Sequence, residues 1–283
     1  MKTFFQRFAY PYALWIIATI ALPILLIFYY SIIDKTTGTL SLTNFTQIFT
    51  PQYLLVFWRS FVVAFITTVC CLIIGYASAL AIARAPKKWQ PLLLFLCILP
   101  AWTNIILRIY AWLILFYRDG IIDNVLHFFG IHISLQYSNF VVYLGMIYNF
   151  LPFMILPLYT AIRKIDPSLL EASEDLGASR TQRLFKIILP LTSSGIVSGI
   201  IMVFLPAATT FVIPQILSAG KYNLLGNVIE RQFTTLNNMN FGAALAIVLI
   251  LCIIVSIFSL DFLDHQKAKR KRGIEDEEEQ TIE

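Results

Sequence analysis

Few side chains in these 283 residues have the type and spacing for chemistry, and their placement excludes most of it. The four cysteines, Cys70, Cys71, Cys97 and Cys252, all lie in hydrophobic stretches. None stands at metal-ligand spacing from His127, His132 or His265. They read as small apolar filler, and no chemistry is assigned to the histidines. No G-x-x-x-x-G-K-[ST] phosphate loop occurs, so the chain lacks the groups with which P-loop proteins bind and hydrolyse ATP. No carboxylate lies in the long apolar stretches, the last of which, Phe241–Leu260, stops before Asp261, and this argues against intramembrane catalysis and against an ion-coupled carrier. Arg108 is the one charge inside such a stretch. It reads either as a gate or pore-lining group or as an arginine snorkelling to the interface.

The elements that carry these residues are membrane helices. The composition is 58% hydrophobic and 13% charged, against about 25% charged in a soluble domain. About 20 apolar residues cross a bilayer core as a helix. The sequence predicts six spans, at about 13–33, 61–83, 92–116, 140–162, 187–213 and 241–262. They form an all-α transmembrane domain over 1–265. No ten-residue alternation suggests a β-barrel. The N-terminal apolar run ends in Phe28-Tyr29-Tyr30, which marks an uncleaved first span rather than a signal peptide. Of 21 Lys and Arg, 15 fall in the N-terminus, the 84–90 loop, the 163–186 loop and the C-terminal tail. The positive-inside rule therefore puts both termini in the cytoplasm. The net charge of +5 follows this distribution rather than a nucleic-acid footprint. The tail, 266–283, is a basic cluster followed by an acidic run and reads as solvated and disordered, with lipid headgroups as an alternative contact for its basic part.

Prolines at 23, 100, 152, 157 and 206 predict bent helices. Small residues at helical spacing, Gly75, Ala79 and Ala83, and Gly195 with Gly199, predict closely packed ones.

The most informative segment is Asp166–Pro190. Asp166 suits an N-cap and Pro167 the first helical position. Leu169, Ala172 and Leu176 fall on one face of a short helix, with Glu171, Glu174 and Asp175 mainly on its polar side. Gly177 is placed as a C-terminal cap. Ser179 and Gln182 have capping-box spacing for a second helix that runs toward Pro190. The apolar face of the first helix needs a cover, either lipid or a groove on a partner.

This segment resembles the cytoplasmic EAA loop of the permeases of binding-protein-dependent ABC importers. Glu171-Ala172-Ser173, Gly177 and Ile187-Ile188-Leu189-Pro190 match its pattern, with serine in place of the third-position alanine. The resemblance implies a type I ABC importer permease fold in the bacterial inner membrane. It also implies that Glu171, Ala172, Ser173, Gly177, Leu189 and Pro190 couple to an ATPase subunit. Two copies of that subunit, which use ATP and Mg, a homologous second permease subunit and an extracytoplasmic substrate-binding protein are the implied partners, alongside membrane lipids. The chain itself is expected to bind no cofactor, to be no enzyme and to contact no nucleic acid.

Pro100-Ala101-Trp102-Thr103-Asn104, Arg108-Ile109-Tyr110-Ala111 and Gly220–Ile229 look like the B-subunit branch that serves spermidine and putrescine, a resemblance that spans essentially the whole chain. A polycation favours carboxylates and aromatic faces. The outer loops offer Asp34, Asp119, Asp123 and Glu230. Trp102, Arg108, Tyr110, Lys221 and Tyr222 are the candidate lining of a translocation path. Aromatics at that level also serve as lipid-belt anchors, and permeases for other small solutes share the scaffold.

Overall fold

The computed structural model describes residues 2–35, 38–118, 120–133 and 135–258, with the side chains of residues 2–10 and 13 left undescribed. The expected tail, 266–283, lies outside the described residues, as does Asp119. Among the described residues the chain is helical, with one isolated antiparallel bridge between Ile33 and Leu40.

Four helices are long and apolar enough to cross a membrane, and two bent pairs bring the number to six if each pair is one span. The four are α1 (Lys2–Ser31), α3 (Pro51–Arg84), α7 (Asn139–Arg163) and α14 (Met239–Phe258). Short α2 (Thr43–Ile48) precedes α3, and short α6 (Ile121–Phe128) precedes α7. The pairs are α4 (Gln90–Trp102) with α5 (Ile105–Leu115), bent by 90°, and Arg180–Leu191 with α11 (Ser193–Thr209), bent by 70°. The stretches 92–116 and 187–213, expected as single spans, are thus each built from two helices. The causes are local. At the first break Thr103 and Asn104 are extended, and the Asn104 side chain caps the new helix by accepting the Ile106 N–H at 2.8 Å. At the second the bend falls at Thr192, two residues after Pro190, while at the far end of α11 Pro206 lies in the last turn and the chain leaves the helix at Thr210 before α12 (Val212–Leu217).

α3, α7 and α11 form the centre of the fold. Val63, Ala64 and Cys71 of α3 pack with Met146, Met154 and Leu158 of α7 and Val203 and Ala207 of α11. The small residues permit this approach. A Cβ on Gly75 would stand 2.8 Å from Met154 Cγ, and one on Gly195 would stand 2.9 Å from the Pro157 carbonyl oxygen. The small-residue faces are therefore used within the chain. Pro152 and Pro157 leave α7 continuous.

α1 contrasts with this core, with only 6% of its apolar window buried. It is held at its end. Asn44 donates to the carbonyls of Ser31 and Ile33, and Asn240 to those of Tyr30 and Ile33, at 2.8–3.1 Å. Carbonyls left over at a helix C-terminus are satisfied in this way. α3, with 34 residues, is about 51 Å long at the helical rise. It outruns a hydrocarbon core of about 30 Å, so its first turns, with Arg59, extend past the apolar zone.

Candidate functional site

The segment after α7 folds as its residue types dictate. Asp166 accepts the Ser168 N–H at 3.0 Å and starts α8 (Pro167–Asp175). α8 ends in a Schellman arrangement. Gly177 N–H donates to the Glu174 carbonyl at 2.9 Å and Ala178 N–H to that of Ser173 at 3.0 Å, with Gly177 at φ +77°. That left-handed backbone is cheap only for glycine and a few short polar residues. α9 (Arg180–Arg183) opens with the expected capping box. Gln182 N–H donates to Ser179 Oγ at 3.3 Å and Ser179 N–H to Gln182 Oε1 at 2.9 Å. An Arg183–Glu174 ion pair ties the helices across the glycine corner.

α8 has two distinct faces. Leu169, Glu171 and Ala172 are exposed, and Leu176, just past the helix, is 88% exposed. Ser173 is 6% exposed, donating its hydroxyl to the Leu170 carbonyl at 2.7 Å. Ser173 and Leu170 thus turn toward the helix bundle, while Glu171 and Ala172 are presented outward. A third-position serine stays satisfied there through that local bond.

Pro190 has a visible consequence. Its ring clashes with the carbonyl four residues back in an α-helix, and it has no N–H to donate. The chain answers with a π-turn at Leu184–Ile188, followed by α10 (Leu189–Leu191), in which Leu189 and Pro190 are half-buried. The 70° bend into α11 falls immediately after, at Thr192. Thr192 is fully buried. Its hydroxyl donates to the Ile188 carbonyl at 2.9 Å and lies 2.8 Å from the Tyr76 hydroxyl of α3.

A second network closes the same end of the fold. Buried Gln90 donates to the carbonyls of Ala83 and Ala85 at 3.0 and 2.8 Å, which caps α3. Its Oε1 accepts from Tyr159 at 3.2 Å and from Arg163 at 3.3 Å, both on α7. One amide therefore joins the ends of α3, α4 and α7.

The other candidate residues occupy the opposite end. Gly220–Ile229 forms a corner and the start of α13 (Leu225–Thr234). Gly220 has φ +74°, and Tyr222 N–H donates to Ser218 Oγ at 2.9 Å. Gly226 lies against the backbone of Thr209 and Thr210, where a Cβ would stand 2.9 Å from the Thr210 oxygen. Asn227 donates to the Phe211 carbonyl at 2.8 Å, beside the Gln215 N–H at 3.1 Å, and so ties α13 to the start of α12. This corner places Tyr222 with its ring under the Arg59 guanidinium at 5.4 Å and its hydroxyl 3.5 Å from that of Tyr143. Lys221 lies 6.0 Å from the Tyr137 ring centre. Arg108 is 6.0 Å from the Tyr148 ring, with Nε and Nη1 buried and without a hydrogen-bond partner. A guanidinium so placed faces protein rather than snorkelling. Trp102 is 76% exposed, with its ring edge-on to Phe95 at 5.9 Å, and Tyr110 is exposed on α5. The structure therefore joins Arg108, Tyr222 and Lys221 each to a tyrosine, and leaves Trp102 and Tyr110 outside those pairs. Among the described residues no group of three or more His, Cys, Asp or Glu is placed to hold a metal.

Residues 71–272 match the family described as binding-protein-dependent transport system inner membrane component. The chain belongs to that family. It is 39% identical over 252 residues to the spermidine/putrescine transport system permease protein PotB of Haemophilus influenzae, covering 86% of this chain and 88% of the relative. PotB of Escherichia coli strain K12 is 38% identical over 83% of this chain and 88% of its own length. The inner membrane ABC transporter permease protein YdcU of the same strain is 31% identical over 77% of this chain and 74% of its own length. Among solved structures, a chain of a bacterial ABC transporter that imports the acidic polysaccharide alginate superposes with TM-score 0.80 at 14% identity, covering 93% of this chain and 95% of that one. A chain of the MetNI methionine ABC transporter gives TM-score 0.57 at 16% identity, covering 74% of this chain and 93% of that one. The fold is that of ABC importer permeases, and this permease is a multi-pass protein of the bacterial inner membrane.

Sequence reasoning passed over several residues that organise the permease. Gln90 was visible only as a lone amide beside an apolar run, and Thr192 only as a hydroxyl after Pro190. Tyr76, Tyr148 and Tyr159 carried no signal, since a tyrosine in a span is equally a packing residue.

Proposed function

We propose that this chain is the permease subunit of an ATP-driven polyamine importer, forms part of the translocation path, and takes its energy from a separate ATPase through α8. The observation that carries the substrate is the 38–39% identity, over most of the chain, to PotB proteins named for spermidine and putrescine. The coupling role rests on the outward face of α8, which Leu169, Glu171, Ala172 and Leu176 present with no cover from the described residues. A helix with an apolar stripe seeks a groove on a partner. Ser173, Gly177, Leu189 and Pro190 set the position of that face: Ser173 seats α8, Gly177 turns the corner, and Leu189 with Pro190 leads into the bend at Thr192. Two ATPase copies bind ATP and Mg, and this chain holds neither. A second permease subunit and an extracytoplasmic binding protein complete the assembly, with both termini of this chain in the cytoplasm.

Passage of the polycation draws on tyrosine faces that already attract cations. Tyr222, Tyr137 and Tyr148 each stand within 6.0 Å of a charged side chain. A cation over an aromatic face is held weakly enough to leave again. Trp102 and Tyr110 offer further exposed aromatic surface, and Arg108 and Lys221, each beside a tyrosine ring, are cations that a passing polycation must avoid.

The test is uptake of labelled spermidine and putrescine by cells lacking this chain, with and without a plasmid that restores it. Restored uptake is expected. Unchanged uptake, with the chain present in the membrane beside its partner subunits, overturns the polyamine reading and points to another small solute on the same scaffold.

A further inference from the structure

Between α8 and the helix bundle lies a cavity of about 350 Å³, on the face opposite the one offered to the ATPase. Its walls divide by chemistry. Leu80, one turn deeper than Arg84 along α3, Ile162, next to Arg163 on α7, and Leu170 of α8 are apolar. Arg84 and Arg163 are the last residues of α3 and α7, Lys87 lies in the loop after α3, and no carboxylate lines the cavity. Arg163 is held in place by Gln90 and Tyr159. Arg84 and Lys87 have no hydrogen-bond or ion-pair partner among the described residues. Three cations over an apolar wall, with two of them unpaired, define a ligand with an anionic head and a hydrocarbon tail.

The position selects the source of that ligand. The cavity sits where α3 and α7 end and the chain turns back into α4, which is the level of the headgroups. Trp89, half exposed in the same turn with Lys88 5.9 Å from its ring, has the amphipathic character of an interface anchor. Anionic lipids of the cytoplasmic leaflet attract basic residues at this depth. We propose that this cavity binds one anionic phospholipid, with its phosphate between Arg84, Lys87 and Arg163 and the start of its acyl chains against Leu80, Ile162 and Leu170. Because Leu170 belongs to α8, the bound lipid supports that helix from behind and fixes the depth at which it meets the ATPase. This goes beyond the transport reading and does not depend on which solute is carried.

The test uses the whole importer, purified with its partner subunits and placed in nanodiscs of phosphatidylcholine with or without phosphatidylglycerol. Lipid retained on this chain is measured by native mass spectrometry, and hydrogen exchange of the α8 amides is followed in parallel. Wild type is expected to retain one phosphatidylglycerol and to show slower α8 exchange in its presence. Lys164→Gln, which removes a charge from the same loop outside the cavity, is expected to behave as wild type. Arg84→Gln with Lys87→Gln is expected to lower retention about tenfold or more, since each basic residue near an anionic surface contributes to attraction. Leu80→Trp, which fills the apolar wall and leaves the cations intact, is expected to abolish retention in complexes that still assemble. Equal retention by wild type and the double variant overturns the proposal, as does equal retention of phosphatidylcholine. Displacement of the lipid by millimolar inorganic phosphate, or slowing of α8 exchange by phosphate alone, also overturns it, because the ligand is then a free anion.

Discussion

Gly177 has φ +77°, and a Cβ built on it meets nothing within 4 Å. A substitution there acts through the backbone and through whatever partner lies outside the chain, not through a clash inside it. Three variants separate these effects. Gly177→Asn tolerates the left-handed region and is expected to keep most uptake. Gly177→Ala costs about 1 kcal/mol at such a position and is expected to lower uptake partially. Gly177→Asp adds a charge at the corner and is expected to abolish uptake and substrate-stimulated ATP hydrolysis while the chain still inserts. Uptake and membrane abundance measured together check the series. Equal uptake by all three removes the corner from the coupling route. The Asp166 cap, the Gly177 corner and the Ser179–Gln182 box were legible in the sequence because each rests on a local preference: a cap, a left-handed residue, a reciprocal side-chain bond. The Glu171-Ala172-Ser173 triplet was legible only through its resemblance to the EAA loop. The different fates of its members, Glu171 and Ala172 outward and Ser173 inward, depend on where α8 lies against α3 and α7, which spacing alone does not state.

At the scale of elements, two devices set the position of α8. The first is its N-cap. The Ser168 N–H donated to the Asp166 carboxylate holds that group below its ordinary value near 3.8. A carboxyl depressed in the folded state stabilises above its unfolded value and loses that contribution as pH falls through the folded value. α8 is therefore expected to fray as pH falls below 4, and Asp166→Asn to remove this dependence while keeping a cap. Hydrogen exchange across residues 168–176 at a series of pH values checks it; identical profiles for both proteins contradict it. The second device is the bend at Thr192. Its hydroxyl reaches both the π-turn that Pro190 imposes and the Tyr76 hydroxyl of α3. Tyr76→Phe and Thr192→Val are each expected to cost about 1 kcal/mol, the scale of one net hydrogen bond. Together they are expected to cost less than the sum. Thermal unfolding of the assembled importer measures the cycle, and strict additivity contradicts a direct link. The prolines foretold bending but not where it occurs. Pro152 and Pro157 lie in an unbroken α7, whereas the sharp breaks fall at Thr103–Asn104 and Thr192. At the first break Asn104 caps the new helix, and at the second the Thr192 hydroxyl holds the bend to Ile188 and Tyr76.

For the whole molecule, the all-α membrane fold was legible because lipid exposure demands a composition no soluble domain has. The orientation is a proposal that rests on the distribution of lysine and arginine alone. The substrate was much less legible. No carboxylate lies in the described parts of the spans, and Tyr137, Tyr148 and Tyr222 stand beside the chain's own cations, so no motif announces a substrate. The relatives carry the polyamine assignment, and the chain's own residues carry the coupling assignment. The central claim is that the outward face of α8 is the surface through which the ATPase acts. The direct measurement is site-directed cross-linking in the assembled importer from Leu176→Cys, which replaces a side chain 88% exposed in this chain, to cysteines introduced in the ATPase. A cross-link whose yield changes between nucleotide-free and ATP-bound complexes is the predicted result. No cross-link from Leu176→Cys, in complexes that still hydrolyse ATP and take up substrate, contradicts the account.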